Sequence, residues 1–434
     1  MSRPVRVAPP RAGLSGGLDL PGDKSIAHRA LLLGALAEGT TVVRGVPGGA
    51  DVQATRAAVQ RLGAHVREEE GTLHIEGQGA GLGVADRVAI DCANSGTTMR
   101  LGAGLVAGGP GTVVLDGDAS LRRRPMERVA EPLRAMHAVV ETTAGRAPVT
   151  VRGGSLLGVD WRSPVASAQV KSAILFAGLR ARGTTTVREP LPSRDHTERL
   201  LAYLGARIEC RPGMVAVAGG QRLRAAAIPL PGDVSSAAFL VVAGLLVPGS
   251  TLRLRDVGLN PTRTGFLAIL RRMGASVDVI DPHDAAGEPR GELHVRATTL
   301  HGTTITPEEV PAAIDELPIL AVAAALAEGE TVLRGASELR VKESDRIAAL
   351  EQLRPLGVTL QTTPDGFVIR GTGGRRLRGG RIDAGGDHRV AMAFAVAGLV
   401  ADGGVEIRDP ECVDVSFPGF FTRLVELGAE VTPR

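Results

Sequence analysis

The stretch LLLGALAEGTTVVRGV, residues 31–46, reads as an apolar helix, a glycine and a strand rich in β-branched residues. The same pattern occurs six times along the 434-residue chain. The glycine of each copy can adopt the left-handed backbone that ends a helix, and the six are Gly39, Gly111, Gly183, Gly249, Gly329 and Gly403. Because they lie 66 to 80 residues apart, we predict six structural repeats.

Each repeat has a second helix, which a hairpin usually follows. The clearest hairpin is GVTLQTTPDGFVIRG, residues 357–371, in which two alternating strands flank Pro364-Asp365-Gly366. The predicted unit is therefore βαβαββ, which is too small to bury its own helices. We expect an α/β protein in which the six units form two sets of three.

The two ends of the chain indicate how these sets are divided. The sixth repeat stops at Arg434 without its second hairpin strand, whereas a spare strand-like segment, Val5 to Pro9, precedes the first repeat. We infer that the N-terminal segment completes the sixth repeat. The predicted domains are a discontinuous one, 1–20 plus 232–434, and a continuous one, 21–231. Hinges are expected near 20–22 and 230–232, because a Pro-Gly pair lies at each.

The composition excludes several classes of protein. No apolar run reaches the roughly 18 residues of a membrane span, and the N-terminus has no targeting pattern, so we expect a cytoplasmic protein that binds no membrane. Basic residues are dispersed and aromatic residues make up only 2% of the chain, which argues against nucleic-acid binding. Cys92, Cys210 and Cys412 are odd in number and widely spaced, which favours buried thiols over disulfides or a zinc site.

Only three of the 50 lysine and arginine residues are lysines: Lys24, Lys171 and Lys342. An arginine carries a planar fork and does not lose its proton, whereas a lysine ammonium is compact and transferable. All three lysines lie in polar clusters that precede predicted helices. We therefore expect each of them to have a specific role.

These polar clusters occupy two equivalent positions in the repeats. The first series is DKSIAHR (23–29), NSGTTMR (94–100), SAQVKSA (167–173), DVSSA (233–237), IDELP (314–318) and GDHRVA (386–391). The second includes RRRPMERV (122–129), SRDHTE (193–198) and RVKESDRI (340–347). Helix N-termini attract anions through unpaired amides and a partial positive charge. Ordinary helix capping is the alternative, and we favour it for DVSSA.

The clustered cations exceed what their own segments need, so we expect a ligand with more than one phosphate or carboxylate. Asp315 and Glu343 lie among these cations and are candidates for general acid or base catalysis, with ion pairing to arginine as the alternative. The nine histidines show no metal-ligand spacing, and no GxxxxGK[ST] loop is present. We expect no metal and no nucleotide cofactor.

Nine motifs together resemble one known family. LPGDKSIAHR, NSGTTMRL, RRRPM, SAQVKSA, SRDHTE, IDELP, ELRVKESDR, GDHRVAMAF and VSFPGF, in this order over the whole chain, are similar to 5-enolpyruvylshikimate-3-phosphate synthases, which are enolpyruvyl transferases. The resemblance implies two inside-out α/β domains of three repeats each, closing over the active site. It also implies transfer of the enolpyruvyl group of phosphoenolpyruvate to the 5-hydroxyl of 3-phosphoshikimate, in the shikimate pathway to chorismate and aromatic amino acids. We expect a monomer without a cofactor.

The resemblance also assigns site residues by their positions in the motifs. Those implied to hold 3-phosphoshikimate are Lys24, Ser25, Arg29, Ser167, Ala168, Gln169, Ser193, Asp315 and Lys342. Those implied to hold phosphoenolpyruvate are Lys24, Asn94, Gly96, Arg124, Gln169, Arg346 and Arg389. The implied catalytic residues are Asp315 for the hydroxyl proton, Glu343 for the methylene proton and Lys24 for charge stabilisation. Two positions depart from the family pattern, because Ala168 replaces a second serine and Val415 replaces a lysine found in some relatives.

Two other functions compete with this interpretation. The UDP-N-acetylglucosamine enolpyruvyl transferases share the repeats and the donor, but they typically have Lys-Asn near the start and a cysteine in a mobile loop. Here Ser25 follows Lys24, and DGDASLRRRP (116–125) contains no cysteine. A catalytically inactive binding homologue would be expected to lack some of the charged site residues, and Lys24, Asp315, Lys342, Glu343 and Arg389 are all present.

Overall fold

The computed structural model describes residues 3–433, and backbone contacts divide the chain into two compact units. Unit 1 comprises Met1–Pro21, Pro231–His283 and Pro289–Arg434, and unit 2 comprises Gly22–Leu230 and Asp284–Glu288. All three cysteines are free. Cys92 is buried and Cys412 is half-buried, but Cys210 is exposed, so the prediction of buried thiols is wrong for that residue.

The helices of residues 3–433 are α1 (Lys24–Leu36), α2 (Ala50–Arg61), α3 (Gly96–Ala107), α4 (Ala119–Arg123), α5 (Glu127–Ala135), α6 (Ala168–Arg180), α7 (His196–Tyr203), α8 (Val234–Leu246), α9 (Gly265–Arg272), α10 (Val310–Ala313), α11 (Leu317–Leu326), α12 (Arg346–Ala349), α13 (His388–Gly398) and α14 (Phe420–Glu426). Short 3₁₀ helices span Gly79–Gly81, Ser337–Val341, Leu350–Leu353 and Pro410–Val415.

The strands are β1 (Val5–Ala8), β2 (Ser15–Asp19), β3 (Glu38–Arg44), β4 (His65–Glu69), β5 (Thr72–Gln78), β6 (Arg87–Asp91), β7 (Thr112–Asp116), β8 (Val139–Thr143), β9 (Arg146–Arg152), β10 (Asp160–Arg162), β11 (Thr184–Arg188), β12 (Ile208–Arg211), β13 (Met214–Ala218), β14 (Ala227–Pro229), β15 (Thr251–Gly258), β16 (Ser276–Ala285), β17 (Glu288–Arg296), β18 (Thr304–Ile305), β19 (Glu330–Leu333), β20 (Thr359–Thr363), β21 (Gly366–Arg370), β22 (Leu377–Asp383), β23 (Ala401–Arg408) and β24 (Glu430–Pro433).

Each unit contains three four-stranded sheets with one common topology. The orders are β14-β3-β5-β4, β6-β7-β9-β8 and β10-β11-β13-β12 in unit 2, and β2-β15-β17-β16, β18-β19-β21-β20 and β22-β23-β1-β24 in unit 1. The first two strands of every sheet are parallel. The pairs that follow are antiparallel where their register is resolved, as in β19-β21-β20. The predicted α/β fold of six βαβαββ repeats is therefore confirmed.

The N-terminal strand completes the sixth repeat, as predicted. β1 pairs antiparallel with β23 and with β24, and Val5 lies opposite both Ile407 and Pro433. The predicted hairpin at Pro364-Asp365 is also confirmed, because Thr363 pairs with Gly366 across a two-residue turn. Alternation of apolar residues and turn chemistry were therefore sufficient to predict these elements.

Two strands pair outside the repeat whose first helix they directly precede. β2 directly precedes α1 of unit 2, yet it pairs in parallel with β15 of unit 1. β14 directly precedes α8 of unit 1, yet it pairs in parallel with β3 of unit 2. The first and fourth repeats have therefore exchanged their first strands.

The six repeat glycines all have positive φ angles, between 75° and 99°. They do not cap the helices directly, because each helix ends several residues earlier, as α1 does at Leu36 before Gly39. Gly39 and Gly403 even lie within strands β3 and β23. The glycines therefore turn the chain into the strand that follows the helix.

Three helices of each unit are buried on almost every side, which makes the units inside-out. All residues of α11 and α13 are buried, as are nearly all residues of α1, α3, α6 and α8. A helix that is apolar all round must lie inside a core. The sheets alternate buried and exposed residues and so cover this core with one face, as β3 and β13 do.

The N-terminal turns of the three central helices meet in each unit. In unit 2, Arg29 of α1 donates to Ser172 of α6 at 3.0 Å, and Gln169 of α6 donates to Thr97 of α3 at 2.9 Å. In unit 1, Ser235 of α8 donates to Glu316 at the start of α11, and Arg389 of α13 donates to the Asp315 carbonyl oxygen at 3.2 Å. The chain thus directs three helix N-termini toward one place in each unit.

Gly104 allows the close approach of α3 to α6. A Cβ at Gly104 would lie 2.1 Å from the carbonyl oxygen of Ala173, which is backbone of α6. We expect Gly104→Ala to destabilise unit 2 by about 1–3 kcal/mol, because the two helices must move apart. Chemical denaturation monitored by circular dichroism measures this change in the free energy of unfolding.

Gly102 on the same helix provides a matched control. A Cβ there would meet only Leu115, at 3.8 Å, which is ordinary contact. Gly102→Ala should be neutral or stabilising by up to about 1 kcal/mol, because alanine favours a helix over glycine. Equal losses of stability in the two variants would show that the close contact at Gly104 does not cause the destabilisation.

Candidate active site

The first polar cluster lies at the start of α1 in unit 2. Asp23 caps the helix by accepting from the Ile26 amide at 2.9 Å. Lys24 follows it, and its ammonium lies 3.0 Å from the Asp51 carboxylate in the first turn of α2. Both side chains are only about one-seventh exposed, at 15% and 13%. The ion pair therefore holds the Lys24 ammonium close to the first turns of both α1 and α2.

The second cluster is the turn before α3. Arg124 donates to the Asn94 side-chain oxygen, and the Asn94 amide donates to Asp118 at 2.6 Å. A Cβ at Gly96 would lie 3.3 Å from an Arg124 guanidinium nitrogen. Asn94, Gly96 and Arg124, all implied to hold phosphoenolpyruvate, are therefore neighbours in the structure.

Gln169 links this turn to α6. Its amide donates to Thr97 at 2.9 Å, and its side-chain oxygen accepts from Arg100 at 2.5 Å. Arg100 also donates to the Pro125 carbonyl oxygen at 3.2 Å. Gln169, implied to contact both substrates, thus lies between the segments that carry their other implied ligands.

Arg29 is almost fully buried and is held by neighbouring helices. Its guanidinium donates to Thr197 at 2.7 Å, to Ser172 at 3.0 Å and to the Ser25 carbonyl oxygen at 2.8 Å. These bonds hold Arg29 rigidly against the first turn of α1. They also tie α1 to α6 and α7.

Two serines of the implied 3-phosphoshikimate site share one carboxylate. The Ser167 amide donates to Glu189 at 3.2 Å, and the Ser193 hydroxyl donates to Glu189 at 2.9 Å. Ser167 also caps α6, which begins at Ala168. First-turn amides have no partner within their helix, so any ligand contact of Ala168 would be made by its backbone N–H.

Lys171 lies directly behind these serines. Its ammonium lies 2.8 Å from Glu189 and 2.7 Å from Glu198, and all three side chains are at least nine-tenths buried. Burial lowers the pKa of Lys171, but the two carboxylates outweigh burial and raise the pKa above its ordinary value. Lys171 therefore stays charged in the interior.

Unit 1 surrounds Asp315 with three cations. The Asp315 carboxylate lies 3.7 Å from Lys342, 3.4 Å from Arg346 and 3.4 Å from Arg389. Asp315 is 12% exposed, so it is shielded but still accessible. The three cations therefore offset the negative charge of Asp315.

Arg346 is buried and bound by carboxylates. It donates to Asp387 at 2.8 Å and to Glu343 at 2.6 Å. Burial opposes its charge, but Asp387, Glu343 and Asp315 outweigh burial and hold the pKa of Arg346 above its ordinary range. Burial likewise raises the pKa of Asp387, but the charge of Arg346 holds the pKa below its ordinary value.

The structure thus gathers the implied residues into two groups, one in each unit. Lys24, Ser25, Arg29, Asn94, Gly96, Arg124, Ser167, Ala168, Gln169 and Ser193 belong to unit 2, whereas Asp315, Lys342, Glu343, Arg346 and Arg389 belong to unit 1. Arg340 stabilises its own loop instead, donating to Asp345 and to the Pro364 carbonyl oxygen. Val415, at the end of a 3₁₀ helix, adds no cation.

Sequence reasoning missed three carboxylates that hold these side chains. Asp51 pairs with Lys24, Glu189 accepts from both serines, and Asp387 pairs with Arg346. Asp387 also caps α13, so its cluster GDHRVA contained the signal. Asp51 and Glu189 lie outside the quoted clusters, and only the fold brings them to their cations.

Capping accounts for DVSSA, as favoured from the sequence. Asp233 caps α8 by accepting from the Ser235 amide at 2.8 Å. The buried Arg263 approaches Asp233 at 3.5 Å and also donates to Ser235. In the part of the chain that the structure describes, no helix is long and apolar enough to cross a bilayer. No group of three or more His, Cys, Asp or Glu among those residues is arranged to hold a metal.

His28 connects the N-terminal halves of α1, α2 and α3 through hydroxyl groups. Its Nδ1 lies 2.6 Å from the Thr55 hydroxyl, which lies 2.6 Å from that of Thr98. The Thr98 hydroxyl in turn bonds Ser95, the N-cap of α3, at 2.7 Å. Burial lowers the pKa of His28 to about 3, so the ring is neutral at physiological pH.

His28 should make the stability of unit 2 sensitive to acid. Between an unfolded pKa of about 6.5 and the folded value of about 3, the unfolded chain takes up a proton that the folded chain does not. The free energy of unfolding should therefore fall as the pH falls below about 6.5, by up to about 1.4 kcal/mol per pH unit. Denaturation curves at several pH values measure this slope.

The His28→Asn variant should have a smaller slope, because asparagine does not titrate. His283 is exposed, so His283→Asn should keep the slope of the unmodified protein. Identical slopes for His28→Asn and the unmodified protein would contradict the assignment.

Comparison with known proteins agrees with the motifs and the fold. The family model for EPSP synthase (3-phosphoshikimate 1-carboxyvinyltransferase) matches residues 9–424. A 3-phosphoshikimate 1-carboxyvinyltransferase from Halorhodospira halophila is 53% identical over 431 residues, 98% of this chain and 96% of that protein. One from Acidithiobacillus ferrooxidans is 51% identical over 413 residues, 95% of each.

A solved structure of EPSP synthase from Acinetobacter baumannii has the same fold. It superposes with a TM-score of 0.88 at 42% identity, covering 99% of this chain and 100% of that one. Sequence and structure therefore match over nearly the whole length, and the chain belongs to the EPSP synthase (3-phosphoshikimate 1-carboxyvinyltransferase) family.

Proposed function

We propose that the two groups of side chains described above act on phosphoenolpyruvate and 3-phosphoshikimate. The activity of the protein is transfer of the enolpyruvyl group to the 5-hydroxyl of 3-phosphoshikimate, giving 5-enolpyruvylshikimate-3-phosphate and phosphate. The main support is that helix N-termini bearing cationic side chains meet in the structure. The chain is also about 50% identical to enzymes named 3-phosphoshikimate 1-carboxyvinyltransferase. Two anionic substrates suit this concentration of positive charge.

We assign the acceptor to the N-terminal ends of α1 and α6 in unit 2 and to Asp315 and Lys342 of unit 1. Ser167, Ala168, Gln169 and Ser193 would bind 3-phosphoshikimate at the N-terminal end of α6, together with Lys24, Ser25 and Arg29 from α1. The shared Glu189 contact supports placing Ser167 and Ser193 on one ligand group.

We assign phosphoenolpyruvate to Lys24, Asn94, Gly96, Arg124 and Gln169 of unit 2, with Arg346 and Arg389 of unit 1. The short contacts among Asn94, Gly96 and Arg124 support one compact anion site there. Val415 supplies no charge, so the donor is held with one cation fewer than in relatives that have a lysine at this position.

The proposed reaction is an addition followed by an elimination. The 5-hydroxyl oxygen of the acceptor bonds to C2 of phosphoenolpyruvate while Asp315 takes its proton, and Glu343 protonates C3 to give a methyl group. Loss of a proton from that methyl group then re-forms the double bond and expels phosphate. Lys24 stabilises the negative charge that develops during these steps. General acid and base steps of this kind contribute about 10² to 10⁴-fold each.

The position of Glu343 supports its proposed role as the acid. Glu343 accepts from Arg346 at 2.6 Å, and Arg346 is one of the residues assigned to phosphoenolpyruvate. This contact would place the Glu343 carboxyl beside the bound donor. The Glu343 side chain is 25% exposed, so a proton can reach it from solvent.

We further propose that the domains are 1–20 plus 232–434 and 21–231, with hinges near 20–22 and 230–232. Support comes from the division of backbone contacts between Pro21 and Gly22 and between Leu230 and Pro231. Because residues of both units must act on the same two substrates, we expect a hinge movement at these connections during turnover. We also propose that the protein acts as a monomer in the cytoplasm.

The decisive experiment mixes purified protein with phosphoenolpyruvate and 3-phosphoshikimate in EDTA and follows phosphate release together with product mass. Release with a mass gain of one enolpyruvyl group is expected. UDP-N-acetylglucosamine is the parallel acceptor and should give no release. Release with that acceptor alone would overturn the assignment, and release with neither would favour an inactive binding homologue.

Asp315→Asn tests the proposed base. Asparagine keeps the shape of the side chain but cannot take a proton, so we expect kcat to fall by roughly 10² to 10⁴-fold. The KM for each substrate and the product formed are measured in the same assay. Asp402→Asn, at a side chain that is 74% exposed, is the control and should leave kcat unchanged. Retention of full kcat in Asp315→Asn would exclude the proposed role.

Gly96→Ala tests the placement of phosphoenolpyruvate. The added Cβ would lie 3.2 Å from Arg100 and 3.3 Å from Arg124, so both guanidinium groups must shift. We expect the KM for phosphoenolpyruvate to rise about tenfold, equivalent to about 1.4 kcal/mol, with a smaller effect on 3-phosphoshikimate. Gly102→Ala on the same helix is the control. An unchanged KM for phosphoenolpyruvate would mean that this turn does not hold it.

A further inference from the structure

The ammonium of Lys171 is bound by three oxygens in the interior of unit 2. Its partners are Glu189 at 2.8 Å, Glu198 at 2.7 Å and the Ser193 carbonyl oxygen at 3.3 Å. An ammonium has three protons to donate, and three acceptors are present. The Lys171 side chain is only 5% exposed, so this arrangement is rigid and shielded from water.

This arrangement explains why a chain so rich in arginine keeps a lysine here. A lysine ammonium directs its three protons tetrahedrally, whereas the donors of a guanidinium lie in one plane. The acceptors on Glu189, Glu198 and the Ser193 backbone all lie in the segment 189–198 and surround one ammonium nitrogen. A compact ammonium therefore suits this position better than a planar fork.

Glu189 connects this cluster to the proposed 3-phosphoshikimate site. One of its carboxylate oxygens accepts from the Ser167 amide, and the other accepts from both Lys171 and the Ser193 hydroxyl. Ser167 begins α6, and Ser193 lies in the segment before α7. Glu189 therefore sets the separation and orientation of two groups that lie on different elements.

We propose that Lys171 and Glu189 are positioning residues for the phosphate-bearing acceptor, acting through Ser167 and Ser193. This inference rests on the proposed function, because it takes those serines as ligands of 3-phosphoshikimate. Glu189 holds the Ser193 hydroxyl in place before the substrate arrives. The hydroxyl proton then turns from Glu189 to a phosphate oxygen, since a phosphate dianion offers only acceptors.

Lys171 makes the negative charge of Glu189 compatible with an anionic ligand. A carboxylate directly behind a phosphate site would repel the phosphate through a medium of low dielectric constant. The ammonium, 2.8 Å from Glu189 and 2.7 Å from Glu198, offsets part of the charge of these two carboxylates. Lys171 therefore acts on the substrate without touching it.

Glu189→Gln is the primary test. Glutamine keeps the size of the side chain but loses the charge and one acceptor. We expect the dissociation constant of 3-phosphoshikimate, measured by calorimetry with that ligand alone, to rise about tenfold, within the range for a lost charge-assisted hydrogen bond. The KM for phosphoenolpyruvate and kcat at saturation should change less than about threefold. A purely structural role would instead change both KM values together.

Glu198→Gln is the matched control. Glu198 bonds the same ammonium, but within residues 3–433 it has no hydrogen bond to Ser167 or Ser193. Its substitution should leave the affinity for 3-phosphoshikimate within about threefold. An equal loss in both variants would contradict a specific role of Glu189.

Lys171→Arg provides a second test that keeps the charge. The positioning role predicts weaker binding of 3-phosphoshikimate with little change in the KM for phosphoenolpyruvate, and the melting temperature reports whether the variant is folded. Combining Glu189→Gln with Ser193→Ala should weaken binding by less than the product of the single effects, because Glu189 acts through that hydroxyl. Multiplicative effects would overturn the proposal, as would unchanged binding in both Glu189→Gln and Lys171→Arg.

The unmodified protein separates this inference from the proposed function. If the unmodified protein does not bind 3-phosphoshikimate or does not release phosphate, the proposed function itself is wrong. If it binds and turns over normally while the variants bind equally well, only the positioning role is wrong.

Discussion

The structure depends on three buried helices in each unit whose N-termini meet. Each of these helices is apolar on nearly all sides, so it must lie at the centre, and the sheets must cover it. Packing the three together brings unpaired amides and three partial positive charges to one place. Because these positive charges repel one another, negative charge from the protein or from a ligand must offset them. The two units meet this requirement differently.

Unit 1 supplies the negative charge from its own chain. Each of its central helices begins at an acidic residue, and each of these residues lies within 4 Å of an arginine: Asp233 with Arg263, Glu316 with Arg389 and Asp387 with Arg346. In unit 2 the corresponding residues are Asp23, Ser95 and Ser167, so only one of the three is charged. Unit 2 therefore keeps more of its positive field available for anions. In unit 1 the cations at these helix starts already have carboxylate partners, so an anion bound there would have to compete with Asp233, Glu316 and Asp387.

Sequence reasoning found the cationic side of the site more completely than the acidic side. Lys24, Arg124, Lys342, Arg346 and Arg389 all stand in short motifs at helix starts, where local pattern is informative. Asp51 and Glu189 are as important to the geometry, since they hold Lys24 and the paired serines. Neither stands in a motif of its own, because Asp51 lies on a different helix from Lys24 and Glu189 lies 22 residues from Ser167. A contact between distant segments leaves no local signal in one sequence.

The sequence by itself determined the repeating unit, because alternation, helical periodicity and glycine turns act over a few residues. It also indicated that the N-terminal strand completes the sixth repeat, since one unit lacked a strand and the chain had one to spare. Only the tertiary structure decided that β2 joins β15 and β14 joins β3, because parallel pairing is chosen by which sheet edge lies within reach and not by the strand's own residues. The same holds for the Lys171 cluster, in which Glu189, Glu198 and the Ser193 carbonyl oxygen become partners of one ammonium only after their repeat has folded around α6.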